Sequence, residues 1–481
     1  MKTVRPVTAP YIRVWLPGIF SFTYMQLTPS FLHFTHNIQQ VAVLHVELIN
    51  HRRYASYLFN EKNKFRRSKV MLNLFKENRN FRNFLLYQGF KGIGSGIFAI
   101  FMMWVVHSQY QNPFYTGVAG FMFAAPNVVG FIAGPYVDRH NKVWLIRAMC
   151  LVQLLVVGLL LVNTYAFGAW VLFLVILVFQ IANMISIPAE TAYLPTIVDS
   201  GDLIKANASI RISATITGLV IGVFLYLSMA RGTEFSIAYA VNAAVLFLGL
   251  VFAVLMKSAV AQKPEEKDTR NYLAELKAGL VYVRSDALAH LVLVFIFSGI
   301  LGHMAHVNLP MFAEIHSGEA SGYIILSVIG LLGGLIGSYI ARAIGAKYEL
   351  SKIFTAGFLL MGIIRIIFIY VIQDSFTRSI WILALYVGLG AAIGIFFQSL
   401  QQKLLPEKII GRVSTILTSL FSVAAALGSL LGGVMGSLLP NVDTVFIIQG
   451  VSYIVISLFM FLSVRIRKLP KISEVVPMGT E

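Results

Sequence analysis

The stretch Gly130-Phe-Ile-Ala-Gly134-Pro-Tyr-Val-Asp138-Arg139-His-Asn-Lys142 decides the fold, because it sets a compact charged turn against the end of a long apolar run. That run, and the one from Val143 to Val162, are each about as long as the ~20 residues a helix needs to cross a bilayer core. The turn therefore joins two membrane helices. Hydrophobic residues are 57% of the chain and charged residues 12%, so most of it needs lipid as its solvent.

Apolar runs bounded by polar turns give twelve candidate helices, near 84–107, 116–136, 143–163, 168–188, 208–229, 236–256, 287–313, 320–344, 352–373, 379–400, 413–438 and 443–464. From Met71 onward there are 28 Lys and Arg. Alternating the sides places 24 with both termini, two opposite (Arg231 and Arg378) and two inside spans (Lys91 and Arg365). By the positive-inside rule both termini are cytoplasmic, in a multi-pass protein of the cell (plasma) membrane. The net charge of +17 is then an orientation signal, not a nucleic-acid footprint.

The polar stretch 257–286 separates six spans (71–256) from six (287–468), with a tail at 469–481. Within it Tyr272, Leu276, Leu280 and Val283 recur at helical spacing and predict an amphipathic helix on the cytoplasmic face. The halves echo each other: Gly130-x3-Gly134 before a charged turn matches Gly330-x3-Gly334, and Leu194-Pro195 matches Leu405-Pro406. Small residues at four-residue spacing (Gly130/Gly134, Gly218/Gly222, Gly330/Gly334, Gly428/Gly432/Gly436) predict a surface where the halves meet and rock. Residues 1–70 carry 10 Lys and Arg and read unlike the rest, as an N-terminal extension arising from a mis-assigned start.

At Gly134-x3-Asp138-Arg139-x2-Lys142 the chain resembles the signature loop of the major facilitator superfamily. Further matches are similar to its drug-efflux branch, which includes macrolide exporters and the enterobactin exporter: Asn80-Phe-Arg82-x4-Tyr87-Gln88, Pro188-Ala189-x5-Pro195-x11-Asn207, Leu276-x3-Leu280-x-Tyr282-Val-Arg284, and Leu404-Leu-Pro406-x4-Gly411-Arg412-Val413. The resemblance covers about residues 76 to 468. It implies an all-α membrane fold of two six-helix bundles that rock around a central cavity, with the charged loop as a cytoplasmic latch. Gly134, Asp138, Arg139, Lys142 and, from the eleventh helix, Arg412 are the latch candidates. Asp138 at its own helix's C-terminus needs such a partner, since the macrodipole there disfavours an anion. The first-helix carboxylate common in proton-coupled exporters is replaced here by Ser95, which puts proton antiport in doubt.

No Asp or Glu from Met71 onward reads as mid-span, and Glu190 reads as a cytoplasmic helix-end group. The intramembrane ionisable residues are Lys91, Arg365, His303 and His306, which are functional candidates by position. Lys91, Ser95, Gln180, Asn183, Asn308 and Gln398 are candidates for the substrate cavity, although polar side chains also join helices and Lys91 can snorkel. Arg365 is read as an interhelical charge. His303 and His306 share a helical face and have an ordinary pKa of ~6.5, so they are the candidates for proton coupling, with external protonation favouring the cytoplasm-open state.

The leading expectation is a secondary active transporter exporting a small amphipathic compound (drug, macrolide or siderophore-like) by alternating access, with protons as candidate coupling ions. A lipid or lysolipid translocator of the same fold is the alternative. An intramembrane enzyme is remote, because the chain lacks His-Glu-x2-His, Gly-x-Ser-x-Gly and a phosphate loop. No cofactor, metal or nucleic acid is expected. The expected partners are the small-molecule substrate and the lipid bilayer, with the protein a monomer.

Overall fold

A computed structural model describes residues 75–162, 168–199, 202–230, 235–257, 286–345, 347–405 and 407–475. They belong to one unit, Met71–Glu481. The expected extension at 1–70, the amphipathic helix around Tyr272 to Val283 and the side chain of Arg412 lie outside the described residues.

Among the described residues the chain is helical and has no strand. Twelve helices are long and apolar enough to span a membrane: Arg79–Tyr110, Pro113–Ile132, Lys142–Val162, Ala169–Ile197, Lys205–Ser228, Phe235–Leu255, Leu288–His306, Ala320–Ile344, Leu350–Asp374, Phe376–Leu404, Val413–Leu438 and Asp443–Leu462. They are called the first to twelfth spans. The first, second and tenth start on the side-chain caps Asn78, Asn112 and Ser375, each accepting a hydrogen bond from an N–H left free at a helix start.

The packing plan repeats. The first span lies against the fifth and sixth, the third against the fourth and sixth, and the second against the fourth; every one of these pairings recurs six spans later. The result is two six-helix bundles of one design. They meet where the second span packs on the eleventh and the fifth on the eighth. With an even number of spans, the first begins and the twelfth ends on one side of the molecule, here the near side; the other is the far side.

Glycine makes the far-side contact possible. A Cβ on Gly117 would lie 2.5 Å from the Cα of Gly433, and one on Gly222 would lie 2.9 Å from the methyls of Val328. Backbones can approach this closely only without side chains between them. At Gly134, on the near side, and at Gly330 and Gly334, midway along the eighth span, a Cβ would meet no atom within 4 Å, so these glycines make no close contact of that kind. The expectation for Gly428 and Gly432 needs correction: they pack on the backbone of the seventh span at Ile300 and Met304, inside their own half. Gly433, one position further round the helix, faces the other half.

Proline sets three departures from the expected span limits. The second span loses regular helix after Val128, passes through a 3-10 turn at Gly130–Ile132 and resumes as a short helix, Ala133–Arg139, so Asp138 and Arg139 are helical rather than in a loop. Pro126, inside that span, has no N–H to give and crowds the preceding turn. The seventh span stops at His306, not 313, and a new helix, Leu309–Ser317, begins with Pro310 in its first turn. The fourth span instead runs through Pro188 and Pro195 to Ile197, longer than the expected 168–188.

Candidate functional site

Extending the fourth span past Pro188 carries Glu190 into the first bundle. Asn183, Ser186 and Glu190 recur three and four residues apart and so share one face, opposite Tyr87, Gln88 and Lys91 of the first span. Lys91 Nζ donates to Glu190 Oε1 and to Ser186 Oγ, both at 2.9 Å. The Tyr87 hydroxyl donates to Glu190 Oε1 at 2.7 Å, and Gln88 Nε2 donates to Oε2 at 3.1 Å. The Lys91 and Glu190 side chains are only 8% and 9% exposed, so lysine is not reaching for the interface; it is neutralised in place. Two charges withdrawn from water are tolerable only with such close pairing and further hydrogen bonds.

The polar face continues away from the ion pair. Gln153 of the third span donates to Asn183 Oδ1 at 2.9 Å, and Asn183 Nδ2 donates to Gln180 Oε1 at 2.9 Å. Gln180 and Asn183, expected to line a cavity, are spent on each other and on the third span. Ser95 Oγ, Gln153 Oε1 and Asn242 Oδ1 are buried without a hydrogen-bond partner. Ser95 stands four residues beyond Lys91 on the same face of the first span, so its unsatisfied hydroxyl is buried on that polar face.

Beside this network lies a cavity of about 400 Å³ between the first and fifth spans. Leu86, Phe90, Ile93, Ile212 and Ile216 make its apolar walls, and Ser209, Ser213 and Thr217 set a row of hydroxyls along the fifth span. That combination, mostly apolar with a few placed polar groups, is typical of small-molecule sites.

The second bundle holds its buried cation differently. Arg365, 4% exposed, donates from Nε to Gln449 Oε1 at 2.8 Å. Its guanidinium lies 4.6 Å from the Phe446 ring centre, 4.8 Å from Tyr386 and 5.3 Å from Phe368. Among the described residues no carboxylate forms an ion pair with it. Gln449 donates on to the Tyr453 hydroxyl at 3.3 Å, which donates to the Ser298 carbonyl of the seventh span. Arg365 therefore ties the seventh, ninth, tenth and twelfth spans together.

The remaining candidates are dispersed. Asn308 is fully buried, donating to the Met304 and Gly432 carbonyls at 2.8 Å, so it pins the end of the seventh span to the eleventh and lines no cavity. Gln398 is exposed on the tenth span. His303 and His306 are exposed in the last turn of the seventh span, with His303 Nδ1 at 2.9 Å from the Gly299 carbonyl. Asp138 is exposed and forms no ion pair among the described residues; Lys142 donates to its backbone carbonyl at 3.1 Å. The side chain of the expected partner, Arg412, lies outside the described residues. Among the described residues no His, Cys, Asp and Glu cluster could hold a metal ion.

Reading the sequence missed Glu190, because Pro188 was taken as the end of its span. The signal was present: Tyr87-Gln88 and Pro188-Ala189 were already marked as motif residues, and the acid follows directly. Of the rings around Arg365, Phe368 lies one turn on in the same span, but Tyr386 and Phe446 come from other spans, and no local pattern links them to it.

The family model of the Major Facilitator Superfamily matches residues 84–416. The chain is 23% identical to the enterobactin exporter EntS of Salmonella choleraesuis (strain SC-B67) over 430 residues, covering 84% of this chain and 97% of that protein. Among solved structures, the nucleoside transporter NupG superimposes with a TM-score of 0.60 at 15% identity, covering 80% of this chain and 99% of its own. A peptide transporter of the POT family, in complex with sulfate, gives 0.63 at 12% identity, covering 84% and 99%. At these identities the structures speak for the fold alone.

Proposed function

Because the chain belongs to the major facilitator superfamily, a family of membrane transporters, we propose that it is a secondary active exporter of a small amphipathic compound. The observation that carries this reading is the enterobactin exporter, which aligns over 97% of its own length. A drug, a macrolide or a siderophore-like molecule is the class of cargo. The cavity between the first and fifth spans suits such a molecule, with Leu86, Phe90 and Ile216 taking its apolar part and Ser213 and Thr217 its polar groups.

Export is the direction taken from the enterobactin exporter, and orientation says which side is which. With Lys and Arg concentrated on the side of both termini, the near side is cytoplasmic in a plasma membrane. The far-side contact then closes the outer face, as in a state in which an exporter would load its cargo. In the opposite state Gly134, Asp138, Arg139 and Lys142 close on the eleventh span near Arg412, and Asp138 gains the partner that its helix end calls for. His303 and His306 carry coupling protons, and the protein acts as a monomer.

A lipid or lysolipid translocator is the second reading, favoured by the apolar walls of the same cavity, which would accept an acyl chain. Accumulation of a catecholate siderophore, a macrolide, a cationic dye and a fluorescent lysolipid in a pump-deficient host decides between them. Export predicts that one of the first three accumulates less when the protein is present and that a protonophore restores it. A lysolipid effect alone would favour the second reading. No change for any compound, at confirmed membrane abundance, would overturn both.

A further inference from the structure

The far-side contact between the halves is mostly apolar, with rings and glycines in close approach, but among the described residues one pair of ionisable groups crosses it. His107, near the end of the first span, lies with Nε2 2.7 Å from Glu314 Oε2. Glu314 belongs to Leu309–Ser317, the short helix that Pro310 separates from the seventh span, so the bond joins the two bundles. Trp104, one turn before His107, stacks on Tyr323 of the eighth span at 5.9 Å between ring centres. Neither His107 nor Glu314 entered the sequence reading as a candidate.

We propose that His107 and Glu314 form a proton-binding clasp that holds the far side shut and loosens when a proton arrives from that side. Three observations support it. The His107 side chain is wholly enclosed while that of Glu314 is 39% exposed, so water reaches the pair only through the carboxylate. His107 Nδ1 is buried without a hydrogen-bond partner. A bare ring nitrogen tolerates that position, but a second N–H there would be a buried donor with nothing to accept it. The closed clasp is therefore a neutral imidazole donating from Nε2 to an ionised carboxylate, which is a charge-assisted bond. A proton added to Glu314 leaves an ordinary neutral bond about half as strong.

Glu314 is the charged group acting on His107 among the described residues. Among the described residues, the phenols of Tyr110, Tyr115, Tyr226, Tyr239 and Tyr323 lie on neighbouring stretches of the far side. His316, on the same short helix as Glu314, is held by Asp443 at 2.8 Å, and Glu319 accepts from Ser321 at 2.8 Å.

The clasp rests on the alternating-access reading above, and it works in the sense opposite to coupling at His303 and His306: acid on the far side opens that side. Spin labels at Trp170→Cys and Leu438→Cys, in a Cys150→Ala background, test it by pulsed electron-electron distance measurement. These positions are 80% and 77% exposed, at the far-side ends of the fourth and eleventh spans, one in each half. Lowering the pH from ~8 to ~3.5, through the ordinary carboxyl range near ~4.3, should raise the ratio of long to short distances by up to about five-fold, the difference between a charge-assisted and a neutral hydrogen bond. Glu314→Gln keeps the shape and removes the charge, so it should give the raised ratio at both pH values. His107→Phe should also abolish the response, whereas His303→Gln/His306→Gln should retain it. A parent protein whose distances ignore pH, or a Glu314→Gln variant that still responds, overturns the clasp. Efflux measured on the same variants separates the two readings: efflux with no pH-dependent distance overturns the clasp alone, and a pH-dependent distance with no compound exported overturns the export reading alone.

Discussion

The two bundles repeat one packing plan and solve one problem in two ways. Each holds a cation deep among its helices. In the first half Lys91 is a compact point charge and is matched by a carboxylate, Glu190, within an arrangement completed by Tyr87, Gln88 and Ser186. In the second half Arg365 has no carboxylate among the described residues and is held by three aromatic faces and the Gln449 amide. The difference follows from the cations. An ammonium is strongly hydrated and needs concentrated negative charge in exchange, while a planar, delocalised and weakly hydrated guanidinium is well served by π faces. The halves thus share their helix contacts and differ in their charged interiors.

The contrast predicts unequal responses to substitution. Glu190→Gln should be the most damaging change, since it leaves the Lys91 charge buried without its counter-ion at about 3–5 kcal/mol. Thermal unfolding in lipid nanodiscs would show it, and Glu190→Gln/Lys91→Met should recover most of the loss. A double variant no more stable than the single one would mean the two charges are not coupled.

Arg365→Met should cost less, about 1–2 kcal/mol, because the rings lose a cation but gain an apolar neighbour of similar length. A loss as large as that of Glu190→Gln would erase the distinction between the halves. Two changes outside the bundle interiors should leave stability nearly untouched and act on transport. Asp138→Asn should slow efflux at normal surface abundance by weakening the near-side closed state; normal efflux at normal abundance would remove Asp138 from the latch. His303→Gln/His306→Gln should preserve exchange down a gradient and flatten the pH-dependence of efflux, so an unchanged profile at equal expression would place coupling elsewhere.

The architecture was legible because it depends on summed properties. Twenty apolar residues between basic turns mark a span whatever their order, and the asymmetry of Lys and Arg fixes the alternation of sides. Events at single prolines were not legible. Pro188 is carried inside the fourth span, whereas Pro126 lies just before the break in the second and Pro310 starts a new helix after the seventh. Whether proline kinks, ends or is absorbed by a helix is set by what the neighbouring helices can satisfy, which a local reading does not contain. The candidate site suffered most from this. Lys91 was visible as a buried charge, but its acid lay two residues past a proline taken as a boundary. His107 and Glu314 looked like ordinary helix-end groups until the fold brought the two halves together.

That the halves rock against each other on their far-side contact is the claim from which the rest follows, and a reversible cross-link tests it directly. A Cβ on Gly222 would stand 3.5 Å from that of Val328, within the usual range for a disulfide, and Cys150 is the chain's single cysteine. Gly222→Cys/Val328→Cys in a Cys150→Ala background should therefore cross-link the fifth span to the eighth under mild oxidation. Efflux of an exported compound should stop when the bond forms and return when it is reduced. Undiminished efflux from fully cross-linked protein would contradict the account.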